Sequence, residues 1–144
     1  MLLGQYRFIL DDDHQLVFPK AFRASFEAGA YATRGFEQNL LIMSEKEFQE
    51  IYQRVAGLNI ADPLVRLLNR QILGNAVKLE MGAAGRVRIP QDLLSFSGVE
   101  KEIVLVGQGL YCEAWAPANW EKQCLVLLDT AANSARFAQL NLAM

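Results

Sequence analysis

The chain has 144 residues, 52% of them apolar, with a formal net charge of −2 and a pI near 5.4. That suits one compact domain, or two small halves sharing a core, and excludes a disordered chain. No apolar run is long enough for a bilayer-crossing helix, and the start, MLLGQYRFIL, has neither a basic leader nor a small-residue cleavage site. The expected location is therefore cytosolic. Cys112, Cys124 and a single histidine supply too few ligands for a zinc site, and both thiols are expected to be buried and reduced.

In chain order, residues 5–10 (QYRFIL) read as a strand, followed by the loop Asp11-Asp12-Asp13-His14 and a return strand, LVF, stopped by Pro19. A short helix over residues 20–26 places Phe22 and Phe26 on one face, with Gly29 as its stop. Residues 31–43 carry strand signals on both sides of a turn at 34–39. Ser44-Glu45-Lys46-Glu47 is a capping box, and Phe48, Ile51, Tyr52 and Val55 then form one buried helical stripe. Asp62-Pro63 opens a connecting helix with an apolar stripe of Leu64, Leu67, Leu68 and Ile72, ended by Gly74.

The same order then repeats. Residues 76–81 are a strand, 83–85 a loop, 87–89 a return strand and 91–96 a short helix. Strands at 102–106 and 110–115 flank Gly107-Gln108-Gly109, and Ala116-Pro117-Ala118-Asn119 starts a helix with Trp120, Cys124 and Leu127 on one side. Residues 129–144 are either a helical extension or a loose tail.

Sliding the chain by 71 residues sets Pro90 on Pro19, Val87 on Leu16, Arg86 on Gln15 and Gly82 on Asp11. One further residue of slip pairs Met43-Ser44 with Trp115-Ala116 and Phe48 with Trp120. Such repetition sets the architecture before any residue chemistry does. The expected domains are a first repeat over 1–57, a connecting helix over 58–74, a second repeat over 75–128 and a C-terminal extension over 129–144.

The two loops differ in sign. Lys78, Arg86 and Arg88 against Glu80 give the second a local charge of +2, whereas Asp11, Asp12 and Asp13 give the first −3. A phosphate feels this local field rather than the net charge.

Paired repeats with a Gly85-Arg86 turn, together with Arg34-Gly35-Phe36-Glu37, Gly98-Val99-Glu100-Lys101-Glu102 and Glu113-Ala114-Trp115, resemble the MraZ family of bacterial transcription regulators. More broadly they resemble the swapped-hairpin barrels of AbrB-type regulators. The resemblance covers roughly residues 1–125. It implies an α+β fold in which two tandem repeats share a swapped-hairpin β-barrel with flanking helices, assembled as a ring-shaped homo-oligomer. It also implies binding to short promoter repeats upstream of a division and cell-wall gene cluster, association with the nucleoid, no cofactor and no membrane or small-molecule partner.

The family loop reads D-x-K-G-R in its first copy and D-x-x-G-R in its second. Here Asp11 keeps the first aspartate, but Asp13, His14 and Gln15 stand at the lysine, glycine and arginine. In the second copy Gly85 and Arg86 are kept, and Gly82 replaces the aspartate. Arginine beside a turn glycine can fork onto phosphate or a guanine edge, and the major groove admits a two-stranded ribbon. Arg86 is thus the candidate DNA contact, with Gly85 shaping the turn and Lys78 and Arg88 on flanking phosphates. The competing reading is an Arg86 that pairs with a carboxylate such as Glu80 and only holds the turn.

Three carboxylates repel a phosphate rail, so the first loop lies outside a DNA footprint or the protein has lost much of its DNA binding. The second case leaves a degenerate, oligomeric relative acting through protein contacts. Adjacent aspartates diverge and do not enclose a cation, and no nucleophile has a partner, so an enzyme has no constellation behind it. Trp115 and Trp120 read as packing residues rather than a base-stacking platform.

Overall fold

A computed structural model of the chain describes residues 1–143. Its strands are β1 (Gln5–Ile9), β2 (Gln15–Val17), β3 (Ala30–Arg34), β4 (Leu40–Ser44), β5 (Val77–Leu79), β6 (Arg86–Arg88), β7 (Glu102–Gly107) and β8 (Tyr111–Trp115). Its helices are α1 (Lys20–Arg23), α2 (Glu45–Ala56), α3 (Pro63–Ile72), α4 (Gln91–Ser97), α5 (Pro117–Leu128) and α6 (Thr130–Phe137). The helix starts obey local chemistry. Ser44 accepts from the Glu47 N–H and Asp62 from the Leu64 N–H, with Pro63 in the first turn of α3, where it sacrifices no hydrogen bond. Gly98 ends α4 in the left-handed region, φ +75°.

Six strands form one sheet in the order β1-β7-β8-β4-β3-β5, and β2 and β6 form a separate two-stranded ribbon. Every ladder is antiparallel. The strands either side of each loop do not pair with one another: β1 pairs with β7, and β2 with β6. Exchanging β1–β4 for β5–β8 leaves the sheet order unchanged when read from the other end. The ribbon obeys the same exchange, because Leu16 faces Val87, the very residues that the 71-residue offset superposes.

The expected barrel is corrected. Among the described residues β1 and β5 remain the two ends of an open sheet, and the ribbon is not hydrogen-bonded into it. Side chains close the structure instead. Leu16 and Val87 from the ribbon, Phe18, Phe22 and Phe26 around α1, and Ile42, Ile103 and Leu105 from the sheet share one buried core. Phe18 and Phe26 lie 4.8 Å apart between ring centroids, and Tyr6 meets Phe22 edge-on at 5.2 Å. Removing such a ring from a packed core costs about 3–5 kcal/mol.

Trp115 and Trp120 pack at 5.8 Å with Val104 and Val106, as core residues. Cys112 is fully buried and free, its thiol pKa pushed up first by burial and then by Glu113; Cys124 is free and half-buried. The C-terminal segment is helical through Leu140, so the extension and not the loose tail is observed; Met144 lies outside the described residues. Several expected stripes are only partly covered. Ile72 is buried and Leu68 half-buried, but Leu64 and Leu67 are exposed, as are Tyr52 and Leu127. Periodicity sets each on the apolar stripe of its own helix, and among the described residues no element packs over them.

Candidate nucleic-acid interface

The ribbon positions the candidate cations. Alternation along β6 turns Val87 into the core and sets Arg86 and Arg88 outward, both exposed. Lys78 projects from β5. These three cations, with Gln15, Glu80 and Gly82, line one cleft of about 560 Å³. Gly85 is not in it. Its φ of +78° turns the chain into β6, and a Cβ there would sit 2.6 Å from Arg23 Nε. Arg23 crosses the turn while donating from Nε to the Phe18 carbonyl at 3.1 Å, a brace that the sequence reading missed.

The two loops share a backbone plan. The Asp11 N–H donates to the Gln15 carbonyl at 3.0 Å, as the Gly82 N–H does to Arg86 at 2.8 Å. The Ile89 N–H donates to the His14 carbonyl at 3.0 Å, as the Phe18 N–H does to Gly85 at 2.9 Å. His14, at φ +58°, occupies the left-handed position that Gly85 fills in the other loop. Histidine bears that conformation at some cost, which glycine avoids.

Arg86 has a partner, though not Glu80. Its guanidinium donates from Nη1 to Asp11 Oδ2 at 3.0 Å, joining one loop to the other across the ribbon while half of the arginine side chain stays exposed. Asp11 also accepts from the N–H groups of Gln15 and Asp13, each at 2.9 Å. The Gln15 bond, the largest influence, holds its carboxyl below the usual value of 3.8; desolvation, next in size, opposes it, and the Asp13 bond and the Arg86 charge and hydrogen bond add to the lowering. Lys78 pairs with Glu45 at 3.8 Å, also half exposed. Exposed pairs of this kind exchange readily with water and other anions.

This geometry links two of the loop departures, Gln15 and Gly82. Exchange of the halves converts Asp11–Arg86 into Gly82–Gln15, and both of those residues line the same cleft. One cross-ribbon ion pair is intact and its mate is missing at both ends. The first loop therefore lies beside the cationic cleft rather than away from it. Among the described residues no group of three His, Cys, Asp or Glu side chains is disposed to hold a metal ion, and no helix is long and apolar enough to cross a membrane.

Sheet, ribbon and cleft define a small α+β protein that presents arginine from a two-stranded ribbon. Residues 72–140 match the family described as "MraZ protein, putative antitoxin-like". A protein of Thermomicrobium roseum named "Transcriptional regulator MraZ" is 32% identical over 127 residues, covering 88% of this chain and 89% of that one. Proteins of the same name from a Roseiflexus species and from Mycoplasma mobile are 32% and 35% identical, covering 96% and 84% of this chain and 95% and 83% of theirs. The chain belongs to the MraZ family.

Proposed function

We propose that this chain is a DNA-binding transcriptional regulator that engages short promoter repeats of a division and cell-wall gene cluster. Arg86 reaches a base edge or phosphate, Arg88 and Lys78 contact flanking phosphates, and Gly85 sets the turn that aims them. The observation that carries the reading is the clustering of Lys78, Arg86 and Arg88 around one cleft on an outward-facing ribbon. A ribbon of this width fits the major groove, and an exposed arginine is the side chain best suited to reading guanine there. The printed names of the relatives support the same class.

Two tandem repeats, 1–57 and 75–128, joined by 58–74 and extended by 129–144, account for the exchange symmetry of sheet and ribbon. The copies form a ring-shaped homo-oligomer, in which one modest contact per subunit adds up where spacing lets several engage together. That is how a net acidic chain holds a polyanion. The protein works in the cytoplasm, on the nucleoid, without a cofactor, and is not an enzyme.

A second reading has its own observation: Asp11 already occupies Arg86. In that reading the protein is a degenerate relative that acts through protein contacts. Mobility-shift titration of promoter DNA with direct repeats separates the two. The expected result is binding at low salt, with Arg86→Ala weakening each contact by about 1–3 kcal/mol. Binding that survives the substitution unchanged removes Arg86 from the interface, and no binding at low salt selects the second reading.

A further inference from the structure

Outside the ribbon, two surfaces of the described residues set bare apolar side chains beside charged groups that make no ion pair. The first is a cleft of about 390 Å³ between α3, the β3–β4 turn and Phe96 of α4. Phe36, 72% exposed, and Leu67, 57% exposed, rim it. Its polar wall is Arg34, whose guanidinium lies 4.5 Å above the Phe96 ring and whose Nε is buried without a hydrogen-bond partner. Arg70 lines the same cleft, exposed at the end of α3. Among the described residues neither arginine makes an ion pair, and Glu37, which also borders the cleft, is not within ion-pair distance of either. A buried, unpaired donor on a charged group is costly until an anion satisfies it.

The second surface is the far end of α5. Leu125, Val126, Leu127 and Leu128 are consecutive and all exposed, so the last turn of the helix is apolar on every side. Glu121 stands one turn before Leu125 and two before Leu128, on a single face, and makes no ion pair among the described residues. A bare apolar turn of this sort marks an interaction surface.

We infer that the arginine cleft of one copy receives the Glu121, Leu125 and Leu128 face of α5 from a second copy. Glu121 meets Arg34 and Arg70, and the leucines cover Phe36 and Leu67. A nucleic acid supplies the anion but leaves the apolar rim bare, whereas this face supplies both. The two patches are unlike, so the contact is head-to-tail and propagates from copy to copy, closing into a ring when the rotation permits. The inference rests on the assembly reading above and names the surfaces that hold it together.

The test is sedimentation velocity on the full chain without DNA, comparing Arg70→Glu, Glu121→Arg and the double variant. Both side chains are exposed, so the fold survives each change. The native chain is expected to sediment as an oligomer, each single reversal to weaken self-association by about tenfold or more, and the double variant to recover it. Single variants that keep the native mass overturn the cleft while leaving assembly standing. Loss without recovery in the double variant overturns the Arg70–Glu121 contact. A native chain that is monomeric at every concentration overturns the assembly reading, and this inference with it; an acidic segment of some other protein is then the occupant to seek.

Discussion

The loops at 11–15 and 82–86 have nearly the same hydrogen-bonding plan and opposite chemistry. Each is closed by an N–H of its first residue onto the carbonyl of its fifth, and each has a left-handed residue fourth. Yet one ends Asp-His-Gln and the other Ala-Gly-Arg. The ribbon ladder is common to both loops, whereas the side chains differ, with Asp11 alone accepting N–H groups of its own loop.

The largest effect expected from breaking this contrast is on DNA. Asp13→Lys with Gln15→Arg takes the first loop from a charge of −3 to 0 and so removes its repulsion of phosphate. Promoter affinity is expected to rise about 10–100-fold, and the slope of log affinity against log salt to steepen by about 2. Titration at several salt concentrations reads both, and an unchanged slope means that the acidic loop does not limit binding.

Next in size is the left-handed position. Gly85→Ala meets both a positive φ and the Arg23 side chain, and is expected to cost about 2 kcal/mol in urea unfolding. His14→Gly, at the equivalent place, is expected to change stability by less than about 1 kcal/mol, since relief of the backbone offsets added freedom in the unfolded chain. Equal effects at the two sites break the equivalence of the loops.

Asp11 gives a pH signature. Its carboxyl is held below 3.8 in the folded chain, so the stability it adds is present above that value and is lost as pH falls through the lower, folded value. Asp11→Asn keeps an acceptor for the Gln15 and Asp13 N–H groups but not the charge facing Arg86. The variant is expected to unfold more easily than the native chain at neutral pH and to match it in strong acid. A difference that persists at low pH assigns the effect to something other than this carboxylate.

The smallest effect is coupling. Gly82→Asp and Gln15→Arg together supply the missing mate of Asp11–Arg86, and a double-mutant cycle on stability should return about 0.5 kcal/mol or less, fading with salt. Zero coupling at low salt means that the two positions do not meet across the ribbon.

What could be read in the sequence was local. Ser44, Asp62 and Pro63 each act within one turn, and their helices begin where those residues place them. His14 stands where the family loop has glycine, and its φ is +58°. Long-range facts were not legible. Nothing near Asp11 announces Arg86, and nothing in QYRFI names Glu102–Gly107 as its ladder partner. Periodicity identified the leucines of α3 as a face, but it cannot tell a face covered by its own chain from one left bare, and Leu64 and Leu67 are bare. The open sheet in place of a barrel has the same origin, since closure depends on edges that meet only in three dimensions.

The antiparallel ladder between β1 and β7 carries a consequence for synthesis. Gln5 leaves the ribosome early and its partner Val106 late, so the first strand must wait for most of the chain before it can pair. Folding of such distant pairings is slow, and a nascent chain stalled before β7 exposes an unpaired strand edge. Early termination of translation should therefore yield aggregates or chaperone clients rather than a smaller, working version of the protein.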